Sequence, residues 1–154
     1  MKNKTADSKN VITVDGIEYI RKDLVPADNR PITERVKSYE DACTVLGLPA
    51  DFGITANDII GIGAVDTRSV IAYTKLIIIA RALNEGWSPN WNDSDEYKYY
   101  PWFKMNASGS GLSYGDYASW DTGSAVPARL CFKSSELSEY AGNQFVELYK
   151  EYFL

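Results

Sequence analysis

Histidine is absent from these 154 residues, and its absence removes more chemistry than any other feature of the composition. Without imidazole there is no Ser-His-Asp or Cys-His catalysis, no imidazole proton shuttle, and little of the ligand chemistry that catalytic zinc uses. Cysteine is scarce as well. Cys43 and Cys131 stand far apart and outside any Cys-x-x-Cys pattern, and they are read as buried thiols in a reducing compartment. Long apolar runs are missing: the most apolar stretch, residues 76–80, is far too short to span a bilayer, so no membrane insertion is expected. Runs of Lys or Arg are missing too, and the net charge is −5, which argues against nucleic acid as a partner. Residues 1–10 are polar and lysine-rich with no apolar segment behind them, so no secretory signal is expected. The Asn-x-Ser/Thr matches at Asn3, Asn92 and Asn106 are then coincidental. The expected location is the cytoplasm of the producing cell, with virion association as a further option.

What the chain does hold is aromatic residues, concentrated in one place. All four tryptophans lie within residues 87–120. Around them, residues 87–132 mix Tyr, Trp and Phe with Gly, Ser, Asp and Ala. Large rings on few rotatable bonds among small polar residues are the chemistry of adaptable contact surfaces. The length fits one domain able to bury a core without staples. The expected fold class is α+β: a single compact domain with an N-terminal β-hairpin, a central apolar helix, a small antiparallel sheet and a C-terminal amphipathic helix. Its parts are a flexible arm (residues 1–10), a hairpin and linker (11–31) and a globular α+β body (32–154).

The hairpin rests on Asp15-Gly16, a preferred type I′ pair, flanked by alternating Val11, Thr13, Ile17 and Tyr19. Residues 26–31 (PADNRP) read as a linker. Ser38 with Asp41 three residues on is a capping arrangement for a short helix that ends at Gly47. Thr55 is expected to cap a second helix over residues 56–60. Gly61-Ile62-Gly63 lacks the third glycine and the preceding strand of a dinucleotide fingerprint, so it reads as a turn. Asp66 or Thr67 is expected to cap a long helix over residues 68–85. Its apolar positions, Val70, Tyr73, Leu76, Ile77, Ala80 and Leu83, widened by Ile71, Ile78, Ile79 and Ala82, predict a central core helix. Residues 97–103 read as extended, with Pro101 confined to a sheet edge, strand end or bulge. Residues 105–124 read as loops and short edge strands. Ala128, Leu130 and Phe132 alternate as in a half-buried strand, and Ser134 or Ser135 caps a single final helix of about five turns.

Candidate chemistry is thin. Asn92, Asp93, Ser94, Asp95 and Glu96 alternate oxygen donors, but the glycine and distal Glu of a calcium loop are missing, so they read as a solvated acidic loop. Nothing fixes any pair among Asp93, Asp95, Glu96, Asp116 and Asp121 at a catalytic distance. Arg129 and Lys133 fit an anion contact or plain surface solvation. No catalytic residue, metal or cofactor is expected.

The blocks AYTKLIIIARALNEGWSPNW, EYKYYPWF and RLCFKSSELSEYAGNQF resemble a recurring protein family of Bacteroides-type gut bacteria and their phages. In that family the blocks stay similar while the Gly/Ser/Tyr/Asp stretch between them differs. That pattern is similar to the variable proteins diversified by phage-associated retroelements, which implies a C-type-lectin-like fold and recognition of cell-surface ligands. The chain differs from those proteins in carrying a helix after Phe132 and Pro127-Ala128 where Gly-Ser is usual. The resemblance implies a ligand face of Asn106, Ser108, Ser110, Ser113, Tyr114, Asp116, Tyr117, Ser119, Trp120 and Asp121. The expected partner is a protein or a cell-surface glycan. Assembly as a homo-oligomer or with virion proteins is the alternative, and inhibition of a host defence system a third.

Overall fold

The computed structural model describes residues 11–14, 17–20, 28–106, 111–122 and 127–154. The chain divides into two units, Met1–Arg30 and Pro31–Leu154. In the first, strand β1 (Val11–Val14) runs antiparallel to β2 (Ile17–Ile20), with Val11 opposite Ile20 and Val14 opposite Ile17. The arm expected over residues 1–10 and the turn at Asp15-Gly16 lie outside the described residues. So do Pro26 and Ala27 of the linker, whose Arg30 guanidinium donates to the Asp28 carboxylate at 2.6 Å.

The second unit contains helices α1 (Ile32–Arg35), α2 (Tyr39–Leu46), α3 (Ala64–Leu83), α4 (Ser135–Gln144) and α5 (Val146–Phe153). It also contains strands β3 (Lys98–Asn106) and β4 (Gly111–Trp120), so the fold is α+β and the sheet of this unit sits at residues 98–120. Local chemistry sets α2 as expected. The Ser38 hydroxyl accepts from the Asp41 amide at 3.1 Å, the Asp41 carboxylate accepts from the Ser38 amide at 3.0 Å, and Gly47 ends the helix at φ 67°. After Thr55 there is a single 3-10 turn, Ala56–Asp58, in place of the expected helix over 56–60. The Asp58 carboxylate folds back onto the Thr55 amide and hydroxyl, both at 2.7 Å, and closes the turn on itself.

The long helix α3 starts at Ala64, earlier than residue 68, with Gly63 as its cap. Thr67 donates from its amide and its hydroxyl to the Gly63 carbonyl, at 2.9 and 3.0 Å, and so stands inside the first turn rather than before it. The helix stops at Leu83, short of residue 85, because Glu85 already has a left-handed φ of 49°. Its carboxyl-terminal half is buried nearly all round, through Leu76, Ile78, Ile79, Ala80, Ala82 and Leu83, while Val65 and Val70 near its start are exposed. Each buried Leu or Ile contributes roughly 1.5–3 kcal/mol before entropy is counted. Helices α2 and α5 pack on it, and the core continues through Val36, Cys43, Leu112, Leu130 and Phe132.

The single terminal helix is broken at Phe145, whose backbone leaves the helix at φ −111° and ψ 24°. The break re-aims the chain: α4 lies on the β3–β4 sheet, and α5 lies on α3. Tyr149 then reaches Phe103 (ring centroids 4.6 Å apart), and Tyr152 stacks on Tyr73 at 5.5 Å. One straight rod has no way to serve both surfaces with one apolar stripe.

The loops expected over residues 105–124 are largely replaced by β4, ten residues long and paired with β3 from Lys98–Trp120 to Asn106–Gly111. The register slips between Trp102 and Phe103, so Gly115 is the extra residue of a bulge and the faces of β4 change parity there. Tyr99 exchanges both its backbone hydrogen bonds with Phe132, at 3.1 and 2.7 Å. Its polar groups therefore point away from β4, and so do those of Pro101 two residues on. The missing N–H of Pro101 falls on the outer edge of β3, where its loss is tolerated.

The strand expected over residues 128–133 is reduced to that one bridge at Phe132. Before it the chain turns, the Leu130 amide donating to the Pro127 carbonyl at 2.7 Å, with Ala128 at φ 38°. Leu130, Cys131 and Phe132 are buried in succession, which no half-exposed strand permits. The buried side chain of Asn84 supplies the missing neighbour: its amide donates to the Cys131 carbonyl at 2.9 Å, and its oxygen accepts from the Lys133 amide at 3.0 Å.

Candidate functional site

The β3–β4 sheet has one covered face and one open face, and the pairing shows which residue lies on which. Phe103 opposes Tyr114, and their rings meet edge to face at 6.1 Å. Phe103 also meets Tyr149 and Phe153 of α5, so this is the helix side. Tyr114 is pressed against α4 there, its ring lying over Gly142 so closely that a methyl group on Gly142 would collide with it. Burial raises the Tyr114 phenol above its ordinary pKa, helped by the carboxylates of Glu139 and Asp116.

Trp102 lies on the other side. Its ring rests across Gly115, where an added Cβ would come within 2.7 Å of the indole. Asp116 opposes Trp102 and shares its face, and by alternation so do Ala118 and Trp120. Lys98, opposite Trp120, is fully buried by the preceding segment. Its amine donates to the carbonyls of Asp93 (3.1 Å) and Glu96 (2.7 Å), sits 3.2 Å from the Glu96 carboxylate, and faces the Trp91 ring at 5.8 Å. Trp91 is thereby held over the buried amine. The open face thus presents two indoles, Trp102 and Trp120, that remain 49% and 54% exposed although a core was available to bury them, and Trp91, over the Lys98 amine, is 41% exposed. Polar groups stand among the rings. Asp116 is exposed, and its carboxylate accepts from the Tyr117 amide at 2.8 Å, which fixes its position.

The ten residues expected to form one ligand face are therefore divided. Asp116 and Trp120 share the open face with Trp102, and Ser113 lies on that face beyond the bulge, opposite Lys104. Tyr114, Tyr117 and Ser119 fall on the helix side, Tyr114 packed there and Tyr117 exposed with its ring 5.9 Å from that of Tyr99. Asn106 ends β3, Asp121 follows β4 and accepts from the Thr122 amide, and Ser108 and Ser110 lie outside the described residues. Trp91 and Trp102 fall outside the expected face, which follows the Gly/Ser-rich stretch. Their signal was the clustering of every tryptophan within residues 87–120.

Two carboxylates of the acidic loop, those of Asp93 and Glu96, are engaged locally. Asp93 accepts from the Asp95 amide at 2.9 Å, and Glu96 accepts from the Asn90 amide at 2.8 Å while pairing with Lys98. Among the described residues no group of three or more Cys, Asp or Glu converges to hold a metal ion, and no helix is long and apolar enough to cross a membrane. Compared with protein-family models, curated proteins and solved structures, the chain shows no significant match to any.

Proposed function

We propose that this is a non-enzymatic binding protein, encoded by a phage or mobile element, that recognises a protein or a cell-surface glycan through the open face of the β3–β4 hairpin. The observation that carries the reading is the pair of half-exposed indoles of Trp102 and Trp120 on a sheet whose other face is packed against helices. Rings held on a rigid support stack on the apolar faces of sugars or fill a partner's pockets at small entropic cost, and Asp116 offers a fixed acceptor beside them. Binding of labelled protein to a glycan array and to a panel of immobilised host surface proteins tests this, with Trp102→Ala and Trp120→Ala compared at equal concentration. Loss of the signal with an unchanged melting temperature supports the reading. Binding that persists in the double variant, or a large loss of stability, overturns it.

A second reading, a structural or assembly role, has its own support. Phe52, Ile54, Ile60, Ile62 and Val65 are all exposed within one short segment, Ile60 at 92%. Contiguous exposed apolar residues mark contact surfaces. Light scattering across a concentration series separates the two readings: Ile60→Asp dissolves an oligomer built on this segment and leaves ligand binding through the tryptophans untouched.

A further inference from the structure

A cavity of about 370 Å³ opens where the end of α3, the turn at Trp87-Ser88-Pro89 and the turn at Ala128-Arg129 meet. Its size falls in the range of small-ligand sites. Its walls combine two chemistries. Trp87, Pro89, Ile77 and Ala128 are apolar, whereas Arg81 and Arg129, both exposed, add two cationic residues to the same lining. Neither guanidinium joins an ion pair or a hydrogen bond among the described residues, although the protein as a whole is acidic. The nearby cations Arg35 and Lys133 differ in this respect, both being engaged by Glu85, at 2.7 and 3.3 Å. Two cations lining one hollow give it a positive potential, which an oxyanion entering the hollow complements.

The backbone around the cavity is strained. Among the described residues only Glu85 and Ala128 are non-glycine residues at positive φ, 49° and 38°. Ala128 lines the cavity, and Glu85 adjoins Asn84, which also lines it. Such conformations gather at ligand sites, because a packed surrounding holds them in place. Here the surrounding is Asn84, whose bonds to Cys131 and Lys133 pin the turn that carries Arg129.

We infer that this cavity binds a small ring-bearing oxyanion, its carboxylate or phosphate held by Arg81 and Arg129 and its flat body laid against Trp87. An aromatic carboxylate and a nucleoside monophosphate share that chemistry. The site lies apart from the tryptophan face and does not depend on the binding role proposed for it.

Calorimetry on the purified protein with 4-hydroxybenzoate, with adenosine monophosphate and with inorganic phosphate tests the inference and separates the sources. Saturable binding of either ring-bearing anion is expected, stronger than that of phosphate alone. Arg81→Gln and Arg129→Gln are each expected to weaken it roughly tenfold or more, as loss of a charge-assisted hydrogen bond does. Trp87→Leu is expected to remove the preference for a ring. Arg68→Gln, on the first turns of α3 and about 20 Å along the helix from Arg81, controls for the general loss of charge. Absence of binding by both ring-bearing probes at 10 mM, or affinity unchanged in the Arg81→Gln/Arg129→Gln variant with its fold intact by circular dichroism, overturns it.

Discussion

The ring of Tyr114 lies against Gly142, and the backbone of α4 reaches the β3–β4 sheet only because residue 142 has no side chain. Gly142→Ala is therefore expected to destabilise the protein by about 2–3 kcal/mol, the cost of overpacking a tight contact. Chemical denaturation measures it. Tyr114→Leu in the same chain relieves only part of the loss, since the added methyl would also stand 2.8 Å from the Cβ of Pro101. Full rescue would contradict this packing.

Gly115 offers the converse case on the open face. An added methyl there meets the Trp102 ring, but that ring is half in solvent and has room to swing away. Gly115→Ala is expected to cost under about 1 kcal/mol and to move the fluorescence of Trp102, with ligand binding by this face lost in step. A spectrum identical to that of the parent protein would show that the indole does not rest on Gly115.

Lys98 is a cation without solvent, sustained by two carbonyls, one carboxylate and one indole. Lys98→Met keeps the stem and removes the charge, which leaves those acceptors unpaired. The expected loss is about 2–3 kcal/mol, moderated because Glu96 retains some access to water. Faster proteolysis within residues 91–97 should accompany it, since the same amine pins that loop. Wild-type stability in the variant would dismiss the amine as an organising group.

Alkaline pH should unfold the protein earlier than acid-base chemistry of exposed groups alone would. Burial pushes the Cys131 thiol up to about 11 and Tyr39 up to about 12, and raises Tyr140 and Tyr149 as well. Each group is neutral when protonated and holds its proton more tightly folded than unfolded. Its contribution is thus complete below the unfolded pKa, about 9 for Cys and 10 for Tyr, and is lost as pH rises through the folded value. Stability by urea titration should hold level across pH 7–8 with respect to these groups and fall from about pH 9 upward. In the same experiment both cysteines should resist alkylation until the chain unfolds, as both thiols are buried.

Much of the fold was legible where the signal is local. Ser38, Asp41 and Gly47 set α2 through atoms within a few residues of one another, and the apolar content of α3 marked it as the axis of the core. Where tertiary partners decide, the reading failed in traceable ways. Ala128, Leu130 and Phe132 alternate like a strand, but the neighbour that completes the segment is one side chain, Asn84, some 47 positions away. The Gly/Ser content of residues 105–124 concealed β4, which is held by cross-strand pairs such as Phe103–Tyr114. Phe145 gives no sequence sign of a break, since a helix-compatible residue is turned only by the two surfaces its neighbours must reach. The candidate site was half visible: the aromatic cluster stood out, but its division between two faces depends on a bulge at Gly115 that composition does not reveal.

The carboxylate of Asp116 holds the Tyr117 amide, a group that, like the backbone of Pro101 opposite, points away from its partner strand. One outward amide on each edge of the hairpin is thus withdrawn from hydrogen bonding by different means, on one edge by an internal acceptor and on the other by a proline. An aromatic-rich hairpin with open edges would be a template for strand-by-strand growth into fibrils. Here the Tyr99–Phe132 bridge, Pro101 and the Asp116 carboxylate interrupt such a template on both edges. Contact through this hairpin is thereby biased toward its side chains and away from strand-by-strand addition.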